Sequence, residues 1–132
     1  MTDEDNWKIV KKQRIWGVSK RNRGKLKSVN LGDHLIFYIT RNGIGGIFKV
    51  ISNTFENDTR IFDSRRFIKE VFPYRVKLKP ILIPKKFIEF KPFISQLRFI
   101  KRKDKKWATS IQGRAMISIS KEDYEIIESS LR

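Results

Sequence analysis

The residues best suited to chemistry in this chain are two tryptophans that lie among basic residues. Trp16 comes shortly before the pair Lys20-Arg21, and Trp107 comes directly after the pair Lys105-Lys106. Burying either indole would also desolvate its charged neighbours, which is unfavourable. An indole rimmed by cations can instead stack on a nucleobase while the cations hold phosphates. The spacing therefore predicts a base-stacking site.

The prediction depends most on Trp16. We expect its indole to face an open hollow, rimmed by cations and wide enough for a planar heterocycle. Stacking on such a ring is worth about 1–3 kcal/mol per base, and a methylated or partly cationic base would gain roughly 0.5–2 kcal/mol more from an aromatic cage. The alternative is that Trp16 and Trp107 only cap a barrel. Trp7 lies on an amphipathic segment and is expected in the core.

Residues of catalytic type are few and dispersed. The chain has one histidine, His34, and no cysteine. His34 therefore has no second histidine or cysteine with which to form a metal-ligand cluster. The candidate carboxylates Asp33, Asp58 and Asp63 are scattered. The glycines of residues 43–46 lack the Lys-Ser/Thr of a phosphate-binding loop. We expect a protein that is not an enzyme and that binds no metal or cofactor, with a basic nuclease as an alternative.

The charge balance points to a polyanionic partner. The chain carries 30 Lys+Arg against 14 Asp+Glu, a net charge of +16. Nine basic residues and no acid lie between Lys8 and Lys27, and residues 98–106 carry six basic residues and one Asp. This segregation predicts one positive face, and nucleic acid is the leading partner because phosphate contacts supply sequence-independent affinity. An anionic membrane surface and the lysine-rich solvated surface of a thermophile are the alternatives.

Length and hydrophobicity limit the architecture. The 132 residues fit a single domain, 1–132, and the 39% apolar fraction is too high for a disordered chain. No apolar run approaches the ~18 residues needed to span a membrane, and no secretory signal opens the sequence. A cytoplasmic protein with no membrane partner is the simplest interpretation.

The first part of the chain predicts a helix, an extended segment and a basic helical turn. Thr2 can cap a helix that runs to about Lys12 and buries Trp7 and Val10. Residues 15–18 are then extended, and residues 21–27 form the basic turn.

The rest of the chain predicts several strands and a last helix. Residues 33–40 and 47–52 form a β-hairpin around turn residues 41–46. Residues 53–66 form a loop with Ile61 and Phe62 turned inward. Residues 74–83 form a strand that Pro80 confines to an edge or a strand end. A short helix at 93–97 and a helix capped by Ser120 follow. This pattern predicts an α+β fold, a small, mixed, partly closed β-barrel with flanking helices.

Several segments, taken in order over nearly the whole chain, resemble the EVE domain. They are Asp3-Glu4-Asp5-Asn6-Trp7, Ile15-Trp16-Gly17-Val18, Gly32-Asp33 before a strand with Tyr38, Phe72-Pro73-Tyr74-Arg75-Val76, Lys106-Trp107, Gly113-Arg114-Ala115-Met116 and Glu122-Asp123-Tyr124. EVE domains belong to the PUA-like superfold and are similar to YTH domains. The resemblance implies a PUA-like barrel that recognises a modified base, flipped or single-stranded, in RNA or DNA.

The resemblance also implies roles for individual residues. YTH domains carry an Asn ten positions before the first cage Trp, and Asn6 stands ten positions before Trp16. Asn6 would then hydrogen-bond the base edge beside the backbone of Gly17 and Val18, and Trp16 would form a cage wall. By the same resemblance, Arg114 would clamp a phosphate. The charge pattern adds the cations beside the two tryptophans as further phosphate-binding candidates (Lys20, Arg21, Lys105, Lys106).

This chain departs from the family pattern at two places. The second YTH cage Trp has no counterpart, because residues 51–53 are Ile, Ser and Asn, so Trp107 or Phe62 would complete the pocket. The apolar strand that family members carry before the first helix is also missing, and an uncovered sheet edge predicts a weak homodimer or low stability. A general PUA-like RNA-binding accessory protein, without selectivity for a modification, is the rival function.

Overall fold

The structure, a computed structural model, describes residues 1–62, 71–101, 111 and 116–132. Its α-helices and β-strands are α1 (Glu4–Gln13), β1 (Ile15–Val18), α2 (Arg23–Lys27), β2 (His34–Ile39), β3 (Gly43–Val50), β4 (Phe55–Glu56), β5 (Tyr74–Leu82) and α3 (Lys121–Leu131). Short 3₁₀ turns cover Lys20–Asn22 and Lys91–Phe93. The basic turn before residue 27 and the extended segment at 15–18 are confirmed.

The strands form a curled, half-closed antiparallel sheet with helices around it. Its order is β1-β5-β3-β2, and β4 pairs with β5. This confirms the predicted barrel-like α+β fold. Pro80 lies opposite Phe48 of β3, whereas the pairing of β1 with β5 ends at Lys77. Pro80 therefore sits where β5 has a neighbour on one side only, as a residue without an N–H requires.

The predicted β-hairpin is present, but its turn is shorter than expected. Gly43 already belongs to β3, so the connection consists of residues 40–42. The ladder passes from Phe37 opposite Gly46 to Tyr38 opposite Ile44, which leaves Gly45 as an extra residue in a β-bulge. The glycines that suggested a turn, Gly43, Gly45 and Gly46, thus belong to strand β3.

The start of α1 differs from the prediction. Asp3, rather than Thr2, is the N-cap, and its side chain accepts a hydrogen bond from the Asn6 N–H at 2.8 Å. Thr2 is instead pinned to the edge of β2: its N–H donates to the Tyr38 carbonyl, and its carbonyl accepts from the Thr40 N–H, both at 2.9 Å. Among the described residues this bridge is the sheet's one parallel pairing.

Two further expectations need correction. The segment 53–66 is not wholly loop, because Phe55–Glu56 pairs with β5; residues 63–66 lie outside the described part. The predicted helix at 93–97 is a 3₁₀ turn at Lys91–Phe93. Pro92 fits that first turn because its missing N–H has no partner there to lose.

Each face of the sheet carries its own apolar core in the described part of the chain. The face under α1 and α2 holds Trp7, Leu26, Phe37 and Phe48, among others. The opposite face packs Ile44 and Ile47 against α3 through Ile127 and Leu131. As predicted, Ser120 caps α3 by accepting from the Asp123 N–H, and Phe62 is buried. No described helix is long and apolar enough to cross a membrane.

Candidate nucleic-acid interface

A cavity of about 830 Å³ runs along β2, and we call it the β2 cavity. It is bounded by α2 and the loop after it, by residues 116–120 and by the start of α3. Its described lining includes rings and polar groups: Trp16, Phe37, Phe99, Lys25, His34 and Tyr124. A volume of this size lies within the range of small-molecule sites.

Trp16 reaches the β2 cavity from strand β1, where it pairs with Val76 of β5. Its ring meets Phe37 edge-on, with centroids 5.4 Å apart, and Phe62 at 6.0 Å. The residue is 8% exposed. Most of the indole surface is therefore buried in contacts that include these two rings. The small exposed part forms a section of the cavity wall.

The other described candidates for base binding are buried, and Gly17, Val18 and Phe62 lie beside Trp16. Gly17 and Val18 are buried on β1, and a Cβ at position 17 would lie 3.1 Å from Phe62 Cε2. Asn6 is 9% exposed in the first turn of α1. Among the described residues, Trp16 is the one base-binding candidate that lines the β2 cavity. Phe62 packs against the Trp16 ring.

The basic candidates within the described part lie at the surface. Lys20 and Arg21 are exposed in the 3₁₀ turn that follows β1, and Lys25 of α2 lines the β2 cavity. All nine basic residues between Lys8 and Lys27 are exposed. Three further phosphate-binding candidates and one base-binding candidate lie outside the described residues: Lys105, Lys106, Arg114 and Trp107.

Arg75 is a buried residue that the sequence did not single out for the site. It is 1% exposed, and its guanidinium donates to the carbonyls of Phe72 and Val71, each at 3.1 Å, and to that of Thr59. Burial lowers the Arg75 pKa, while the charge of Asp58 acts in the opposite direction. These bonds tie together both ends of the segment that carries Phe62. Strand alternation turns position 75 away from the core that holds Val76 and Leu78, so the sequence pattern did not indicate that Arg75 would be buried.

A hydrogen-bonded chain at the cavity wall was also missed. His34 Nδ1 lies 2.6 Å from Tyr124 Oη, which donates to Glu128 Oε2 at 2.8 Å. Because the Tyr124 proton points to Glu128, His34 Nδ1 carries the proton of the first bond. Burial, with the hydrogen bond to Glu128, raises the Tyr124 pKa from 10.0 to about 12. The two ring residues are 90 positions apart, so no local pattern joins them.

The described residues contain no group of three or more acids and histidines able to hold a metal ion. The described lining of the β2 cavity combines aromatic rings with the cation Lys25 and with polar groups such as Asp33 and His34. Such a set can bind a planar ligand that carries an anionic group, because the rings stack on the ligand and the cation attracts its charge.

Comparison with known proteins identifies the family. The EVE domain model matches residues 1–130. The chain belongs to the EVE domain family. It is 44% identical to a UPF0310 protein of Pyrococcus abyssi over 140 residues, which covers 99% of this chain and 96% of that protein. A UPF0310 protein of Pyrococcus horikoshii is 39% identical over 141 residues, covering 99% and 95%.

Solved structures agree with this EVE domain in fold. A crystal structure of a Pseudomonas putida protein aligns with a TM-score of 0.66 at 15% identity and covers 100% of this chain and 97% of that one. A Pseudomonas syringae protein gives 0.60 at 14% identity, covering 98% and 95%. The family suggests a PUA-like, nucleic-acid-binding fold.

Proposed function

We propose that this EVE domain is a non-catalytic nucleic-acid-binding module that recognises a modified base in RNA or DNA. The observation that carries the proposal is the position of Trp16. Its indole forms part of the wall of a ligand-sized cavity, with exposed cations on the segment that follows β1. Proteins bind single-stranded nucleic acid by combining a stacking ring with cations that contact the phosphates.

In this proposal the base enters the β2 cavity and stacks on Trp16, for about 1–3 kcal/mol. Phe37 and Phe62 hold the indole in place through their edge contacts. The family resemblance implies base-edge contacts from Asn6 and the backbone of Gly17 and Val18, but none of the three is among the described lining residues of the cavity, so a base would reach them only if the wall around Trp16 opened. Phe62 or Trp107 would complete the pocket.

The phosphates of the bound strand would lie on the basic residues around the cavity. Lys20 and Arg21 are exposed for this role, and Lys105, Lys106 and Arg114 would extend the set. Arg114→Ala should weaken binding of modified and plain strands about equally and flatten the salt dependence by roughly 0.7–0.9 per lost phosphate.

The experiment is a fluorescence titration against matched modified and plain oligonucleotides, drawn from a panel of modifications. Trp16→Phe is the test variant, because truncating a buried Trp to Ala removes about 3–5 kcal/mol of stability and risks unfolding. Trp7→Phe is the control, since Trp7 is 2% exposed on α1 and is not part of the described cavity lining.

We expect Trp16→Phe to reduce the preference for the modified strand, because the larger indole face is lost, and Trp7→Phe to preserve it. If Trp16→Phe kept the wild-type preference while Trp7→Phe behaved identically, the stacking role of Trp16 would be wrong.

A second candidate is a general PUA-like RNA-binding accessory protein that does not sense modification. It is favoured by the burial of Trp16 together with the exposure of the nine cations from Lys8 to Lys27. Equal affinities for modified and plain strands across the whole panel, with a steep salt dependence, would select this function.

We also propose weak self-association through β2, the last strand of the sheet order. In the described part, Thr2 bridges the outer edge of this strand at Ile39, and the β2 cavity lies along β2, so self-association would compete with base binding. Unpaired strand edges recruit other strands. Sedimentation velocity over a range of concentrations should show a reversible dimer, and a single monomer boundary at every concentration would contradict it.

A further inference from the structure

A row of cations crosses the exposed part of the sheet face that α3 covers elsewhere. Lys49 of β3 lies directly opposite Lys79 of β5, and His34 of β2 lies opposite Lys49 on the other side. Lys77 lies two positions before Lys79 and so shares its face. All four residues are exposed. We call the lysines of this set (Lys49, Lys77, Lys79) the lysine row.

The lysine row is electrostatically unfavourable in the protein alone. Directly opposed like charges destabilise a strand pair, and here Lys49 and Lys79 occupy paired positions. Within the described ranges none of the three lysines has an ion-pair partner. The repulsion adds to that of a chain of net charge +16, and a bound anion would relieve it.

The row begins at the β2 cavity. His34 lines the cavity and is the register partner of Lys49. Neighbouring strands lie about 4.8 Å apart, so the line from His34 through Lys49 to Lys79 extends about 10 Å from the cavity wall. Phosphates of one strand rise about 3.4 Å per nucleotide along the helix axis, and neighbouring phosphates are farther apart than this through space. The row is therefore long enough for two successive phosphates.

We infer that the lysine row is a phosphate-binding track for the strand whose base occupies the β2 cavity. The inference rests on the proposed function, and it adds a direction: the backbone leaves the cavity past His34 and crosses β3 and β5. A nucleic-acid backbone fits because its charges are regularly spaced and linear, as the row is. A membrane surface fits less well, because the row lies on a sheet and not on an amphipathic helix.

The test compares two double variants with equal loss of charge. Lys49→Ala with Lys79→Ala removes the paired cations of the row. Lys85→Ala with Lys86→Ala removes two exposed lysines from the loop after β5 and is the control. Each protein is titrated over a salt series with an oligonucleotide of about 12 nucleotides, within the site size of known single-strand binders, and with the corresponding mononucleotide.

We expect the row variant to flatten the salt dependence of oligonucleotide binding by about 1.4–1.8, the value for two lost phosphate contacts to a single or double strand. The control should change it much less. Mononucleotide binding should differ much less between the two variants, because a single phosphate reaches at most the first lysine of the row. Lys49→Arg with Lys79→Arg should restore the wild-type dependence. The unfolding midpoint of the row variant should not fall, since a repulsive pair is removed.

The outcomes separate the two proposals. If the wild type binds neither ligand, the proposed function fails. If the wild type binds but the row variant matches the control, only the track is wrong. Loss of binding to phosphatidylserine vesicles, with oligonucleotide binding intact, would assign the row to a membrane and overturn the inference.

Discussion

The indole of Trp7 lies directly on the backbone of Gly45. A Cβ at position 45 would come within 2.8 Å of both Cε2 and Cζ2 of that ring. Trp7 is 2% exposed and also packs against Phe37 and Phe48, with ring centroids 5.3 and 5.8 Å apart. The β-bulge at Gly45 is thus the point where α1 docks on the sheet.

Gly45→Ala should therefore destabilise the fold by about 1–3 kcal/mol, the range for overpacking a well-filled core. The Trp7 ring would have to move, and its contacts with Phe37 and Phe48 leave it little space. Chemical denaturation measures the effect. Gly24→Ala is the matched control, because a Cβ there meets nothing within 4 Å and Gly24 lies in α2. We expect it to be neutral or stabilising by up to about 1 kcal/mol, and equal losses in the two variants would contradict the docking role.

The elements that sequence reasoning recovered are those fixed by local pattern. The helix capped by Ser120, the β-hairpin and the strand containing Pro80 each carry their signal within a few adjacent residues. Thr2 was misassigned because a hydroxyl before an acidic turn suits an N-cap, whereas its position is set by a bridge to Ile39 from a distant strand. The short β4 was missed because two residues carry no periodicity.

The site was only partly predictable for the same reason. The spacing of Trp16 among cations predicted an indole that faces an open hollow, whereas Trp16 is buried and only part of it lines the cavity. Its burial depends on Phe37 and Phe62, which the hairpin and a later loop bring to it. The contact of His34 with Tyr124 joins the sheet to the last helix. Such pairings follow from tertiary packing, and the spacing of residues along the chain does not predict them.

Arg75 should be sensitive to the shape of its side chain as well as to its charge. A lysine at this position keeps the charge but lacks the planar fork that reaches several carbonyls. Arg75→Lys should lose most of the bonds to Phe72, Val71 and Thr59 and destabilise the protein by roughly 2–4 kcal/mol. Acrylamide should then quench tryptophan fluorescence more strongly, because release of the segment that carries Phe62 uncovers Trp16.

The control for Arg75 is Lys77→Met. Lys77 is two residues away on the same strand and is exposed, so its loss should change stability by less than about 0.5 kcal/mol. An Arg75→Lys protein with wild-type stability and quenching would show that the guanidinium geometry does not hold the segment.

Asp123 is a buried structural anchor. It is 1% exposed, and its carboxylate accepts from the Arg98 N–H at 2.9 Å and the Phe99 N–H at 3.0 Å. Asp123→Ala leaves both donors without that acceptor and should cost about 2–4 kcal/mol of stability. Glu122→Ala, at the neighbouring exposed position, should cost at most about 1 kcal/mol through the helix dipole. Thermal unfolding of the two variants compares them, and a larger loss for Glu122→Ala would refute the anchor.

The stability of the protein at alkaline pH should depend on Tyr124. Its folded pKa is raised from 10.0 to about 12 by burial and by the hydrogen bond to Glu128. The folded state therefore holds this proton more tightly than the unfolded state does. The resulting stabilisation is complete below pH 10.0 and is lost as the pH rises to about 12.

Tyr124→Phe should remove part of the decline in stability over that interval, measured by denaturant unfolding at a series of pH values. Loss of the hydrogen bond to His34 lowers stability at every pH, so the readout is the slope with pH and not the absolute value. A residual decline should remain, because burial also raises the Tyr38 pKa. Glu128→Gln should lower the pH at which the Tyr124 phenolate absorbance appears, since it removes the negative charge beside the hydroxyl. A Tyr124→Phe protein whose stability declines with pH as steeply as the wild type would show that this hydroxyl does not titrate with folding.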